Sequence, residues 1–338
     1  MRGEDRRISW IRRQSQNFPA GLQQAIGDDC AVWTCPDGEA LAVSTDVLVE
    51  EVHFRRRLIS PNFLGRKSLL VSLSDLAAVG ARPYACLLGL SLPANLSESY
   101  FHAFLDGFLE EARVWKSPLV GGDLSRSPVI HVAVTAWGCL ETGTGVYRST
   151  ARAGDAVLLV GDLGLSHLGL EILKRERPGG VEQLGSEEEL VRWAGEGFRQ
   201  ACLRAHFLPR PQIGVGVWLR ERGLANAMID VSDGLATDLM RIARASQLEA
   251  ELRVAELKLP QSELDEKIGL DAVLNGGEDY ALLFTASKDQ MRCLETAYPP
   301  DFPPFRIIGS MKEGCPALFL SGEKGRGEYE PRGFDHFQ

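Results

Sequence analysis

The chain has 338 residues, 44% of them hydrophobic and 25% charged, with a formal net charge of −9. That length exceeds what one hydrophobic core usually serves and predicts two domains. The acidic balance disfavours sequence-independent nucleic-acid binding, which needs a basic surface to displace counterions. No apolar stretch approaches the roughly 18 residues that span a bilayer, and the N-terminal "MRGEDRRISWIRRQ" lacks the apolar run of a signal peptide. The seven cysteines form no CxxC pair and suit a reducing cytoplasm, the expected location.

In chain order, "AIGDDCAV" (25–32) places adjacent aspartates where the chain enters a β-like run. "EALAVSTD" (39–46) is β-like, and "PNFLGRKSLLVSLSDLAAVGA" (61–81) has helix-spaced apolar residues behind a Ser-Pro start. A strand is expected at 84–93, an amphipathic helix at 97–115 with Ser97 as N-cap, and a strand at 129–141. The Gly-, Thr- and Arg-rich "ETGTGVYRSTARAGD" (141–155) lacks periodicity and predicts the domain boundary, giving domains 1–145 and 146–338. A strand follows at 156–160, then three helical stretches to about residue 222 and a strand "NAMIDVS". A helix then starts at "DGLATDLMRIARAS", with β-like runs near 249–254, 280–285, 305–310 and 316–321. This alternation predicts an α/β or α+β second domain.

Five stretches put aspartate beside a small or hydroxyl residue at the edge of an apolar run: "GDD" (27–29), "STD" (44–46), "LSD" (73–75), "GGD" (121–123) and "DVSDG" (230–234). Each alone reads as an ordinary turn or N-cap, Asp233 before "GLATDL" most of all. Together they suggest a shared site. Carboxylates about 4 Å apart repel by roughly 4 kcal/mol at an effective dielectric of about 20. Magnesium, which takes carboxylate and phosphate oxygens, reverses that sign. The chain has no GxxxxGK[ST], no dinucleotide GxGxxG after a strand, no HExxH, no GxSxG and no HRD…DFG set. Phosphates bound here would need carboxylate-held metal in place of a P-loop.

"IGDDCAV", "STDVLVEEVHF", "SLSDLAAVGARP", "GGDLSRS", "YRSTARAGD", "DVSDGLATDL", "GGEDYALLF" and the closing "GFDHF" (333–337) resemble, in order, the thiamine-monophosphate kinase family. That family sits in the superfamily of ATP-using enzymes with aminoimidazole ribonucleotide synthetase and selenophosphate synthetase. The stretch about 174–205 is least similar. The resemblance implies an α/β (α+β) fold: an N-terminal mixed sheet with helices that dimerises through its sheet, and a C-terminal α/β domain. It implies ATP-dependent phosphorylation of thiamine phosphate to thiamine diphosphate, the last step of thiamine diphosphate synthesis. Several Mg²⁺ ions would assist, and a cleft near a homodimer interface would hold the site.

By the same resemblance, Asp29, Ser44, Thr45, Asp46, Asp75, Asp123, Asp230 and Asp233 are metal ligands or near-ligands, and Asp28 is left unassigned. Phe104, Gly122, Asp123, Arg148 and Ser232 are ATP contacts, with Arg148 also a charge stabiliser and no residue named as general base. Backbone N–H groups of Ser232 and Gly234 at a helix start would face a phosphate. His53, Glu278 and Phe334 are thiamine phosphate contacts, Phe334 stacking on a ring and Glu278 complementing the cationic thiazolium. The remaining histidines His102, His131, His167 and His206 match no motif and read as structural. Two alternatives stand: a sister enzyme with another acceptor, and a non-catalytic nucleotide- or thiamine-binding regulator on the same scaffold.

Overall fold

The computed structural model describes residues 3–14, 20–35, 38–176, 179–260, 266–323 and 325–336. Phe337, the last residue of the C-terminal motif, lies outside them. After α1 (Gly3–Gln14), the first half forms β1 (Leu22–Gln24), β2 (Ala31–Thr34), β3 (Glu39–Val49), α2 (Pro61–Val79), β4 (Arg82–Leu92), α3 (Glu98–Val114), β5 (Leu119–Arg126) and β6 (His131–Glu141). The six strands make one mixed sheet in the order β1-β2-β3-β6-β4-β5. Its long antiparallel pairs, β3 with β6 and β6 with β4, form the centre, and β5 joins parallel to β4 at the edge.

The second half adds β7 (Ala156–Val160), α4 (Leu165–Glu176), α5 (Glu187–Ala194), α6 (Phe198–Phe207), α7 (Ile213–Arg222), β8 (Ala227–Val231), α8 (Leu235–Ser246) and β9 (Glu249–Arg253). It continues with α9 (Glu266–Asn275), β10 (Ala281–Ala286), α10 (Lys288–Ala297), β11 (Phe305–Lys312), β12 (Ala317–Gly322) and β13 (Gly325–Glu328). Its seven-stranded sheet runs β13-β12-β9-β11-β7-β10-β8, with separate apolar clusters on its two faces. Among the described residues, no helix is long and apolar enough to cross a membrane.

The sequence placed most of these elements to within a few residues. It expected three helical stretches before residue 222, where the structure has four, α4 to α7. Gly195 and Gly197, at φ 76° and 88°, break what reads as one run into α5 and α6. It also took "GGD" as a loop, although Gly122 and Asp123 lie inside β5. A Gly-Gly pair has poor strand propensity; here the parallel pairing to β4 overrides it.

Helix α2 joins the halves. Ser60 caps it by accepting the Phe63 N–H, Pro61 occupies the first turn, and Gly80 ends it in the left-handed region at φ 73°. Every residue of α2 except Asp75 is buried, because it packs on the first sheet and α3, and on its other side against α7 and β8. Such all-round burial explains the missing polar face. Glycine makes the approach to α3 possible: a Cβ at Gly65 would sit 1.9 Å from the Phe104 carbonyl oxygen.

Gly65→Ala should therefore force the two helix backbones apart and lower unfolding stability by about 3 kcal/mol or more. Urea denaturation reads this directly, and an unchanged midpoint would contradict so close a packing.

Candidate active site

A cleft of ≈ 1280 Å³ opens between the two halves. That exceeds the usual range of about 300–1,000 Å³ for one small ligand and leaves room for two reactants. The first half contributes the loop before β2, strand β3, the turn carrying His53, and Asp75 of α2. The second contributes Arg148, Ser232 and Asp233 after β8, the 275–280 segment, and the C-terminal residues Arg332 to Phe334 and His336.

Carboxylates form its floor. One oxygen each from Asp29, Asp75 and Asp230 lies within 4.8 Å of the others. Ser44 and Asp46 share one face of β3 by strand alternation; the Ser44 hydroxyl donates to Asp75, and Asp46 Oδ2 is buried without a hydrogen-bond partner. Burial, then Asp46, Asp230 and Asp29, raises Asp75 well above the ordinary carboxylate range. Burial, then Asp29 and Asp238, does the same to Asp230. Burial pushes Asp46 up to about 6, with Asp29 and Asp233 adding and the Ser72 hydroxyl opposing. The local compensation is Arg148, whose Nε and Nη2 fork onto Asp29 at 2.9 and 2.5 Å. A hard oxygen donor set with an unpartnered buried carboxylate oxygen fits Mg²⁺ or a similar divalent cation.

The adjacent aspartates divide the labour. Asp29 points into the floor, whereas Asp28 accepts the backbone N–H groups of Asp29 and Arg148 and an N–H from Gln24. Asp28 thus braces the loop from behind. Burial and then Asp29 raise it to about 7 despite Arg148.

Other expected residues sit differently. The Thr45 hydroxyl pairs with Thr135 on β6, on the strand face opposite Ser44 and Asp46. Asp233 does not cap α8: Gly234 holds the N-cap position, and Asp233 pairs with Arg241 at 2.6 Å. The N–H groups of Ser232 and Asp233 both donate to Asp238 Oδ2 at 3.0 Å, so the Ser232 N–H expected to face a phosphate is already occupied. Phe104 is not brought to the cleft; it is 2% exposed, in the core beside Phe108. Gly122 and Asp123 are also remote. Asp123 registers with Gly89, Gly89 with Ala133 and Ala133 with Val47 of β3, three strand spacings or about 14 Å.

At the other end of the cleft, His53 and Phe334 meet with ring centroids 6.4 Å apart, and His336 stands 4.9 Å from the first and 4.7 Å from the second. The Val49 N–H donates to His53 Nδ1 at 2.9 Å, so the neutral ring carries its proton on Nε2. Burial and His336 lower the His53 pKa and favour that neutral form. Glu278 lies beside these rings with φ 65°, a conformation that strains a non-glycine residue by about 1–3 kcal/mol. Its N–H donates to the Ser232 carbonyl at 2.7 Å, and Tyr280 N–H to that of Val231 at 2.8 Å. Two distant motifs are thereby sewn together. Glycine precedes Glu278 because a Cβ at Gly277 would come 2.7 Å from the Ser232 oxygen.

Sequence reading missed Lys67, His206 and His336. Lys67 ion-pairs with Glu278 at 2.9 Å, and His206, read as merely structural, approaches the same carboxylate at 3.5 Å. His167 also lines the cleft. The available signal was the charged "RK" inside an otherwise apolar helix.

Residues 27–140 match the family model of the AIR synthase related protein N-terminal domain, and residues 152–317 that of its C-terminal domain. Thiamine-monophosphate kinase of Synechococcus elongatus is 34% identical over 92% of this chain and 91% of its own length. That of Aquifex aeolicus is 36% identical over 93% of each. The chain belongs to the thiamine-monophosphate kinase family. The solved structure described as AaThiL complexed with AMPPCP and TMP superposes with a TM-score of 0.82 at 31% identity, covering 99% of this chain and 97% of that one. The hydrogenase maturation protein HypE, at 18% identity and a TM-score of 0.66, shares the fold alone. Within this thiamine-monophosphate kinase family member, the acidic floor and the ring-lined end are two ends of one cleft.

The buried carboxyls around the cleft have a consequence for stability. Asp28 and Asp238, both pushed to about 7, and Asp279, to about 8, hold protons in the folded state that the unfolded chain releases near pH 4. Their contribution is complete at low pH and lost as pH rises through those values. His206, lowered to about 3, acts oppositely but only below its unfolded value near 6.5. Between pH 6.5 and 8 the carboxyls alone count. The melting temperature of chelator-treated protein should therefore fall across that range; a metal-free melting temperature that rises would contradict the charge balance.

Proposed function

We propose that this protein transfers the γ-phosphoryl group of ATP to the phosphate of thiamine phosphate, giving ADP and thiamine diphosphate, in the cytoplasm and as a homodimer. The observation that carries this reading is the polarity of the cleft: a carboxylate floor only partly offset by Arg148 at one end and a ring-and-carboxylate wall at the other. An anionic phosphate chain with bound cations complements the first, and a flat heteroaromatic body complements the second. The relative solved with AMPPCP and TMP supports the choice of reactants.

Asp29, Asp46, Asp75 and Asp230, with Ser44 and Asp233 nearby, would hold the metal, whereas the Thr45 hydroxyl stays with Thr135 on the other face of β3. Divalent cations bound there would offset the charge of two phosphate groups and let them approach. The acceptor phosphate is ionised near neutral pH, so its oxygen forms the new P–O bond while the β–γ bridging bond breaks toward ADP, and no strong general base is needed. The chain's contribution is position. Arg148 fixes the direction of Asp29, Asp28 fixes the loop behind it, and Asp238 with Arg241 fixes the Ser232–Asp233 turn. His53 presents Nε2–H as a donor to an anionic or ring acceptor, and Phe334 offers a partly exposed face for stacking.

The pairing of two copies through β5 accounts for Gly122 and Asp123. This edge strand is exposed along nearly its whole length, and Val120 and Leu124 are each 62% exposed. An open apolar edge invites another strand. We infer that Gly122 and Asp123 reach a nucleotide only in the paired state.

A coupled assay with ATP and thiamine phosphate should show turnover that requires Mg²⁺; equal rates in excess chelator would overturn the proposal. Asp46→Asn should lower kcat by about a hundredfold or more with the fold intact, checked by circular dichroism alongside kinetics. Leu124→Asp should yield a monomer by sedimentation and lose most activity, whereas an active monomer would remove β5 from the site.

A further inference from the structure

The underside of Glu278 is built from two buried groups on different helices. Lys67 rises from α2 with its side chain 2% exposed and sets Nζ 2.9 Å from Glu278 Oε1. His206 of α6, 7% exposed, sets Nδ1 3.5 Å from Oε2 and 3.2 Å from the Ser166 hydroxyl. Glu278 itself is 26% exposed and faces the cleft. Each carboxylate oxygen is thus met from beneath by a buried group on a different helix, while the backbone is held at φ 65° by the Ser232 carbonyl.

This arrangement changes what Glu278 offers. A lone half-buried carboxylate would attract any cation, the acidic floor's metal included. With an ammonium group in hydrogen-bonding contact the local charge is close to balanced, and what remains is directional: spare lone pairs on oxygens whose positions are fixed. Burial alone would raise the Glu278 carboxyl, but Lys67, together with His206 and His53, lowers it on balance and keeps the group ionised.

We propose that Lys67 is a positioning residue for substrate choice: acting through Glu278, it turns that carboxylate into a charge-balanced acceptor for an N–H donor edge, the aminopyrimidine of thiamine phosphate, in place of a counter-ion for the thiazolium. This rests on the proposed reaction. It also differs from the thiazolium-complementing role expected of Glu278 from its charge. A site built to accept from an amino group rejects an analogue lacking it, because the buried acceptor then loses its partner.

The test begins with wild-type turnover of thiamine phosphate, whose absence would overturn the proposed function itself. Given turnover, Lys67→Met should raise KM for thiamine phosphate about tenfold or more and leave KM for ATP within about twofold. Lys67→Arg, which keeps the charge, should recover most of the loss. In a Glu278→Gln background the Lys67→Met effect should largely vanish, since the residue acts through that carboxylate. Wild-type enzyme should also show about a tenfold or higher KM for an analogue with oxygen in place of the pyrimidine amino group. That arm needs no variant and stands even where Lys67→Met fails to fold. Equal rises in both KM values, an undiminished Lys67→Met effect on the Glu278→Gln background, or equal KM for the amino and oxo substrates would overturn the inference and leave the proposed function standing.

Discussion

Four carboxylates, Asp29, Asp46, Asp75 and Asp230, are held together around the foot of one buried helix, and the rest of the molecule is arranged to keep them there. Left alone, such a cluster repels itself; burial first, and then that repulsion, raises the proton affinities of Asp46, Asp75 and Asp230. A fold tolerates that only when the surroundings are rigid. Here rigidity comes from the all-round burial of α2 and from glycine-permitted contacts that bring neighbouring backbones against it. The repulsion is stored locally, in the place where a cation relieves it.

Helix α2 carries its charges to separate tasks. Asp75 faces the floor. Lys67 pairs with Glu278 from the second half. Arg66 donates to Glu111 of α3 at 2.7 Å and to Glu187 of α5 at 3.0 Å. A buried charge without a partner would be strongly unfavourable, and each of these partners lies on another element. The pairs therefore contribute more to specifying how the elements meet than to net stability. The cleft's two ends are set by the same helix, which fixes the distance between them.

Much of this was legible in the sequence because local rules and global fold agree. Ser60-Pro61 and Ser97 announce their helices, and the alternation of β3 assigns Ser44 and Asp46 to one face. The aspartate-bearing element ends reveal a shared site through repetition. What stayed hidden depends on tertiary geometry. Strand β5 exists because β4 offers a parallel edge, not because "GGDLSR" favours a strand. The α8 start reads as capped by Asp233, yet Asp238, five residues on, takes the backbone donors. Phe104 follows a motif only loosely, and helix amphipathicity draws it to the core. Lys67 and His206 could not be joined to Glu278 from spacing, since the three lie on separate elements far apart in the chain.

The twin aspartates show how one local motif serves two energetic ends. Asp29 is aimed inward and tied by Arg148, so its charge belongs to the cluster. Asp28 turns back to accept N–H groups from its neighbour and from Arg148, the residue that grips Asp29. The second carboxylate thus positions both partners of the first one's ion pair. Moving either aspartate would disturb the other through the shared arginine, which is why the side-by-side placement, unfavourable by electrostatics alone, is the shortest way to build this corner of the site.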